Sequence, residues 1–309
     1  MSKTIKAVLD IGSNTIRLLI AEVDAQTIVQ RIHYEHKIAR LGEGLQRTGM
    51  LSDAGKQRAL LVFSAFKDVC LQHNIAVADI YAVATAAIRE ASNGQSFVAD
   101  VAEKLGLRIQ VISGEHEARL ALAGARLGLP HDVGHDMCLF DIGGASTEFT
   151  RVIQGQVQDS LSLKLGVVRL TEQCASSQPA SHIYTQMKQE VVPFLEKLEA
   201  FWGKPNALPQ HLVGTAGTVT TLAAIAQHMQ TYVPNQIDGY AMTKHTFTGM
   251  RDQLLHMTNE ERLNIPALEK GREDVIVAGI AIIDVLFERW HYDVLFSVDS
   301  GLLEGLLLE

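Results

Sequence analysis

One strand–turn–strand signature occurs twice in this chain, and it governs how the chain can fold. Ala7-Val8-Leu9-Asp10-Ile11-Gly12-Ser13-Asn14-Thr15 is answered by Cys138-Leu139-Phe140-Asp141-Ile142-Gly143-Gly144-Ala145-Ser146-Thr147. Each is an apolar strand ending in Asp-Ile-Gly, then small polar residues, then a second apolar strand, Ile16 to Val23 and Phe149 to Ile153. A strand, a glycine-bearing turn and another strand signal a β-hairpin. Asp10 and Asp141 lie 131 residues apart, close to one domain length. The repeat therefore predicts two duplicated α/β domains facing each other across a cleft. The seam is expected near Gly128 to His135, giving residues 1–128 and 129–309, with the terminal helix 300–309 free to pack back onto the first.

The rest of the pattern alternates helix and strand. Ser52-Asp53 caps a helix carrying Leu60, Leu61, Phe63, Phe66, Val69 and Cys70 at helical spacing. Ile80 to Ala84 and Ile109 to Ile112 read as buried strands, with a short helix from Phe97 to Leu105 between them. Ser113-Gly114 opens a helix through Leu127. Further helices are expected from Ser181 to about Ala200, from Gly217 to about Met229, and from Thr243 and Glu273. The strands His211 to Val213 and Val294 to Val298 and a last helix, Leu302 to Leu308, complete the reading. Loops are marked at Leu129-Pro130-His131, at Ala175 to Pro179 and at Gly203 to Asn206.

Composition narrows the function classes. The chain is 309 residues long, 47% hydrophobic and 20% charged, an ordinary globular balance that suits two domains of about 150 residues. The apolar run Ile5 to Leu9 is broken by Asp10, too short for a secretory core, and no stretch approaches a membrane span. Cys70, Cys138 and Cys174 are odd in number, without a CxxC, which fits a reducing cytoplasm and buried thiols. The net charge of −8 argues against nucleic-acid binding, yet a local cluster of cations and backbone N–H groups can still hold a polyanion. The histidines are read as scattered, without i, i+4 pairing or an HExxH helix, which disfavours a histidine metal site.

Four clusters carry chemistry. The two hairpin turns expose backbone N–H groups and hydroxyls beside small side chains, as close approach of phosphate oxygens requires. Asp10 and Asp141, at the strand ends, suit a hydrated Mg²⁺, and Glu148 sits on the same strand face as Ser146. Ser113-Gly114-Glu115-His116-Glu117 places two acids in a first helical turn, where they complement the macrodipole or, in a phosphate cleft, activate a water. Arg89, in Thr85-Ala86-Ala87-Ile88-Arg89-Glu90-Ala91, is a phosphate clamp or a surface cation paired with Glu90 or Glu115. Gly214-Thr215-Ala216-Gly217 before Thr218 is an anion-binding turn or tight strand-to-helix packing.

Together with Arg17 and Leu163-Lys164-Leu165-Gly166-Val167-Val168-Arg169-Leu170-Thr171-Glu172, these segments resemble the exopolyphosphatase / guanosine pentaphosphate phosphohydrolase family, a branch of the sugar kinase–Hsp70–actin superfamily. The resemblance covers nearly the whole chain. It implies an α/β fold of two actin-like ATPase (ribonuclease H-like) domains, each a mixed sheet plus helices, with an interdomain cleft. It implies a hydrolase that releases terminal phosphate from polyphosphate or guanosine pentaphosphate, with Mg²⁺ or Mn²⁺ as cofactor. Glu117 would be the catalytic base, and Asp141, Glu148 and Asp10 the metal-facing acids. Ser13, Asn14, Arg89, Gly143, Gly144, Ala145 and Ser146 would contact phosphate. No nucleic acid or membrane partner is implied; a homodimer is the assembly left to test.

Three positions depart from the family pattern. Ala145 stands where a Gly-Gly-Gly-Ser run has glycine, and a positive φ there would strain its methyl. Ala216 replaces a glycine of a Gly-Thr-Gly-Gly turn, and Leu303 replaces the Arg of Gly-Leu-Arg-Glu-Gly. Two other classes stay open: a kinase or ATPase of the same superfold, and a non-catalytic alarmone or nucleotide sensor.

Overall fold

The computed structural model describes residues 3–24, 27–174, 180–203 and 208–309. The chain divides into two compact units, Met1–Gly124 with Gly301–Glu309, and Ala125–Ser300.

In the first unit, β1 (Thr4–Ile11), β2 (Thr15–Asp24) and β3 (Thr27–Ile38) form an antiparallel meander. Then β4 (Ile80–Ala84) and β5 (Ile109–Val111) return parallel to β1, giving the order β3-β2-β1-β4-β5. Both faces of the sheet are covered, which explains the unbroken apolar runs. On β1, Ala7, Leu9 and Ile11 enter one core with Phe63, Phe66 and Phe97, while Val8 enters another with Leu120, Leu302, Leu303, Leu306 and Leu307. Leu303, where the family pattern has arginine, is thus 3% exposed in an apolar cluster.

The second unit repeats the plan. β6 (Met137–Ile142), β7 (Thr147–Ile153) and β8 (Gln156–Leu163) form the meander. β9 (His211–Thr215) runs parallel to β6, β11 (Val294–Ser297) runs parallel to β9, and β10 (Ala241–Thr243) closes the edge antiparallel to β11. The order β10-β11-β9-β6-β7-β8 is the first sheet's order with one strand added. Two mixed sheets, each a three-stranded meander extended by parallel crossovers and flanked by helices, constitute the actin-like ATPase fold.

Most expected elements are present, with shifted ends. The helix expected from Phe97 spans Gly94–Leu105, the one from Gly217 spans Ala216–Ala226, and the one from Glu273 spans Ile276–Trp290. Ser52 caps its helix by accepting the Gly55 N–H at 3.1 Å. Leu61, assigned to that helix's apolar face, is 73% exposed; the buried stripe is Ala59, Val62, Phe63, Phe66 and Cys70. The loop read at Leu129 to His131 ends at Pro130, after which His131–His135 is a short helix. The loop at Ala175 to Pro179 and most of that at Gly203 to Asn206 lie outside the described residues. The three cysteines are buried and free. Among the described residues no helix is long and apolar enough to cross a membrane.

Candidate active site

The two hairpin turns are built alike. Gly12 N–H donates to the Thr15 carbonyl at 3.1 Å, and Gly143 N–H to the Ser146 carbonyl at 2.9 Å. Each turn is backed by the segment that follows the third strand of its meander. Gly42 N–H donates to the Ser13 carbonyl at 2.8 Å, and the Ala39 and Arg40 N–H groups to the Asn14 carbonyl at 2.9 Å. In the second unit, Val167 and Val168 N–H donate to the carbonyls of Gly143 and Gly144 at 3.0 and 2.9 Å. A trans peptide points its carbonyl and the next amide in opposite directions. The amides of Asn14 and Thr15, and those of Gly144 and Ala145, are therefore directed away from the backing segment, as a nest for an anion requires.

The backing segment is a feature that the sequence analysis did not assign. Arg40-Leu41-Gly42 and Lys164-Leu165-Gly166 are a second internal echo, with Leu41 and Leu165 buried. A methyl on Gly166 would lie 2.4 Å from the Ala145 nitrogen and from the Gly144 carbonyl, all backbone. One on Gly42 would lie 3.1 Å from the Ser13 Cβ. The signal was the repeat itself, which recurs beside each hairpin.

The duplicated hairpins differ in charge. Asp10 pairs across the ladder with Arg17, and Asp141 with Glu148. Arg17 grips Asp10 Oδ2 through Nε at 2.8 Å and Nη2 at 2.5 Å, and Asp10 is 3% exposed. Its Oδ1 is buried without a hydrogen-bond partner among the described residues. In the second unit two carboxylates stand directly opposite on neighbouring strands, where a shared cation would relieve their mutual repulsion. Ser162 donates to Glu148 Oε1 at 2.6 Å. The donors are all oxygen, and two carboxylates plus water and phosphate are the usual setting of Mg²⁺ or Mn²⁺. The residues present therefore fit such an ion. Among the described residues no group of three or more His, Cys, Asp or Glu gathers for one. One histidine pair escapes the sequence reading: His131 and His135 stand one helical turn apart with ring centroids 5.9 Å apart.

Glu117 lies in the first turn of the helix Gly114–Leu127, its N–H bonded to the Ser113 carbonyl at 2.9 Å. Ser113 Oγ accepts the His116 N–H at 3.2 Å. Ala118, Leu120, Leu122 and Ala125 bury the helix, so the acidic turn is left at the surface. The same turn is tied to the C-terminal residue: Glu309 accepts from Tyr81 at 2.9 Å and bonds His116 Nε2 at 2.9 Å. Burial alone would raise the Glu309 carboxyl, but these bonds and the charges of His116 and Arg119 hold it below the usual range. Arg89 is on the one-turn helix Ala86–Glu90, where Ala87 and Ile88 enter the core and Arg89 is left exposed. Its Nη1 donates to the Ile112 carbonyl at 2.9 Å and to Glu117 at 3.2 Å. The ion-pair partner of Arg89 is thus Glu117 rather than Glu90 or Glu115.

At the fourth cluster, a methyl on Gly214 would meet Phe140 and Val219 at 2.7 Å, which is tight strand-to-helix packing. The guanidinium of Arg272 lies against Gly217, where a Cβ would come within 1.4 Å of its Nη1. The non-glycine positive-φ residues among those described are Arg40, Asn74, Gln154, Ala216, His228 and His291. Ala145 therefore has ordinary backbone, and the strained alanine is Ala216, at φ 65°.

The comparisons with known proteins agree with this architecture. The model of the Ppx/GppA phosphatase family matches residues 19–309. Exopolyphosphatase 2 of Mycobacterium tuberculosis is 32% identical over 321 residues, covering 100% of this chain and 99% of that protein. The bifunctional 3-dehydroquinate synthase/phosphatase of Fusobacterium nucleatum is 29% identical over 314 residues; the match covers 99% of this chain but only 46% of that longer protein. Among solved structures, the Ppx/GppA family member of Aquifex aeolicus superimposes with a TM-score of 0.82 at 29% identity, covering 99% of this chain and 97% of its own. An exopolyphosphatase from Cytophaga hutchinsonii gives 0.83 at 26% identity, covering 98% and 96%.

Proposed function

Because the chain belongs to the Ppx/GppA phosphatase family, we propose that it hydrolyses the terminal phosphoanhydride of inorganic polyphosphate, and that guanosine pentaphosphate is its second substrate class. The observation that carries this reading is the contrast between the two hairpins, Asp10 with Arg17 and Asp141 with Glu148. The first is neutral in itself. The second sets two carboxylates opposite one another, an oxygen donor pair suited to a divalent cation. A match over 99% of the length of an exopolyphosphatase supports polyphosphate as the leading substrate.

In this reading Asp141 and Glu148 would hold a hydrated Mg²⁺ or Mn²⁺, and Asp10, whose Oδ2 is held by Arg17, is the third acid proposed for it. When bound, that ion supplies neutralisation of phosphate charge. The Ser13–Asn14 turn and the Gly143–Ser146 turn offer outward amides and hydroxyls to phosphate oxygens. Ala145 contributes through its N–H alone. Arg89 takes an oxygen of the terminal phosphoryl group, giving up its bond to Glu117, and Glu117 then accepts the proton of the attacking water. The water oxygen forms the new bond to phosphorus, the bridging P–O bond breaks, and orthophosphate leaves.

The test is direct. The purified chain with Mg²⁺ is incubated with polyphosphate, guanosine pentaphosphate or ATP, and orthophosphate release is followed. Release from polyphosphate without nucleotide is expected. Phosphoryl transfer from ATP to an acceptor, with neither of the other substrates hydrolysed, would favour a kinase; tight binding of guanosine pentaphosphate without turnover of any substrate would favour a sensor.

A further inference from the structure

β8 is an edge strand whose side chains alternate in exposure, with Leu163 buried and Ser160 and Ser162 exposed. Its register to β7 sets Ser162 opposite Glu148 and Ser160 opposite Thr150. Both pairs are bonded through their side chains. Ser162 Oγ donates to Glu148 Oε1 at 2.6 Å, and the hydroxyls of Thr150 and Ser160 lie 3.1 Å apart. The ladder therefore runs Asp141, Glu148, Ser162 across three adjacent strands.

A glutamate on a strand surface has three side-chain torsions to settle, and a carboxylate directly opposite repels it. Asp141 supplies that repulsion from one flank. The Ser162 hydroxyl supplies a short charge-assisted bond from the other, fixing one oxygen of Glu148 on the β8 side. An exposed serine contributes little packing there, since Leu161 and Leu163 carry the apolar contacts of that strand end. Its oxygen is what the position supplies.

We propose that Ser162 is a positioning residue: it sets the Glu148 carboxylate for the divalent ion that Asp141 and Glu148 hold. This inference rests on the metal reading given above, and the experiment separates the two. Mn²⁺ binding to the full chain, without substrate, is titrated by electron paramagnetic resonance. The proteins are wild type, Ser162→Ala, Ser162→Thr, Glu148→Gln and Asp141→Asn. Loss of an outer partner of a metal ligand weakens binding by about 10–100-fold. Ser162→Ala should raise the Mn²⁺ dissociation constant by about tenfold, and Ser162→Thr, which keeps the hydroxyl, should stay within about threefold of wild type. Thermal midpoints of wild type and Ser162→Ala should coincide, and in the polyphosphate assay the alanine variant should recover its rate at high Mg²⁺. Unchanged Mn²⁺ affinity in Ser162→Ala, with Glu148→Gln weakened, overturns the positioning role and leaves the metal reading standing. Unchanged affinity in Glu148→Gln and Asp141→Asn as well removes both.

Discussion

Arg89 Nη1 stands 3.2 Å from the Glu117 carboxylate, so the proposed phosphate clamp and the proposed base neutralise one another. Both side chains are about one-third exposed, at 32% and 29%, so the pair is weak enough for an arriving phosphate to exchange. The Ile112 carbonyl keeps the guanidinium in place while it changes partner. Replacing Glu117 by Gln keeps a hydrogen-bond acceptor for Arg89 but removes the base. Turnover of polyphosphate should fall by about 10²–10⁴-fold while KM changes little. Near-normal turnover would remove Glu117 from the chemistry.

Gly166 makes a different demand, through backbone alone. A Cβ there would stand 2.4 Å from three backbone atoms of Gly144 and Ala145, none of which is the end of a flexible side chain. The Gly143–Ser146 turn must move to admit it. Gly166→Ala is expected to raise KM for polyphosphate by about tenfold or more, since a misplacement near 1 Å costs roughly 10²-fold in oriented sites. Gly203→Ala is a control for glycine loss away from the turn: its φ is 82° but a methyl meets nothing within 4 Å. Equal KM values in the two variants would show that the turn does not depend on its backing segment.

How far the sequence disclosed this arrangement depends on whether a feature is local. The hairpins were legible because strand, turn and strand are contiguous and occur twice. Glu148 could be placed on the face of Ser146 by counting, but that it opposes Asp141 needed the β6–β7 register. The partner of Arg89 was not legible, since Glu117 lies 28 residues away and only the fold shows which acid of its helical turn, Glu115 or Glu117, meets the guanidinium. Arg40 to Gly42 and Lys164 to Gly166 passed unassigned because they act through main-chain hydrogen bonds and a missing Cβ, which no side-chain chemistry advertises. The two alanine departures looked alike in sequence and differ only in φ.

That difference gives a paired test. Ala216 sits at φ 65°, where an L side chain costs roughly 1–2 kcal/mol, whereas glycine adopts the conformation without that penalty. Against this, glycine loses more backbone entropy on folding, about 0.5–1 kcal/mol. Ala216→Gly should therefore stabilise the chain by about 0.5–1 kcal/mol, raising the thermal midpoint by about 1–3 °C. Ala145→Gly, at ordinary backbone geometry, relieves nothing and should lower the midpoint slightly. Calorimetry on both variants decides it; a midpoint raised by Ala145→Gly and not by Ala216→Gly would reverse the assignment of strain.

The acid limit of stability is expected to trace to Asp284, a buried carboxylate that is none of the candidate site residues. It lies within the helix Ile276–Trp290 at 3% exposure and accepts from Tyr184 at 2.8 Å, Lys188 at 2.9 Å and Arg251 at 3.0 Å. Burial alone would raise its carboxyl, but hydrogen bonds from Lys188 and Tyr184 and the charges of Lys188 and Arg251 offset this and hold it below the usual carboxylate range. A depressed folded-state pKa means that the network's stabilisation is complete above the unfolded value near 3.9 and is lost as pH falls through the folded one. Asp284→Asn leaves two cations facing a neutral amide, at a cost of roughly 3 kcal/mol at pH 7. In urea unfolding, the gap between wild type and Asp284→Asn should be widest at pH 7 and should narrow as pH falls below about 4. A gap independent of pH would mean that Asp284 contributes its shape and its hydrogen bonds to Tyr184, Lys188 and Arg251, and not its charge.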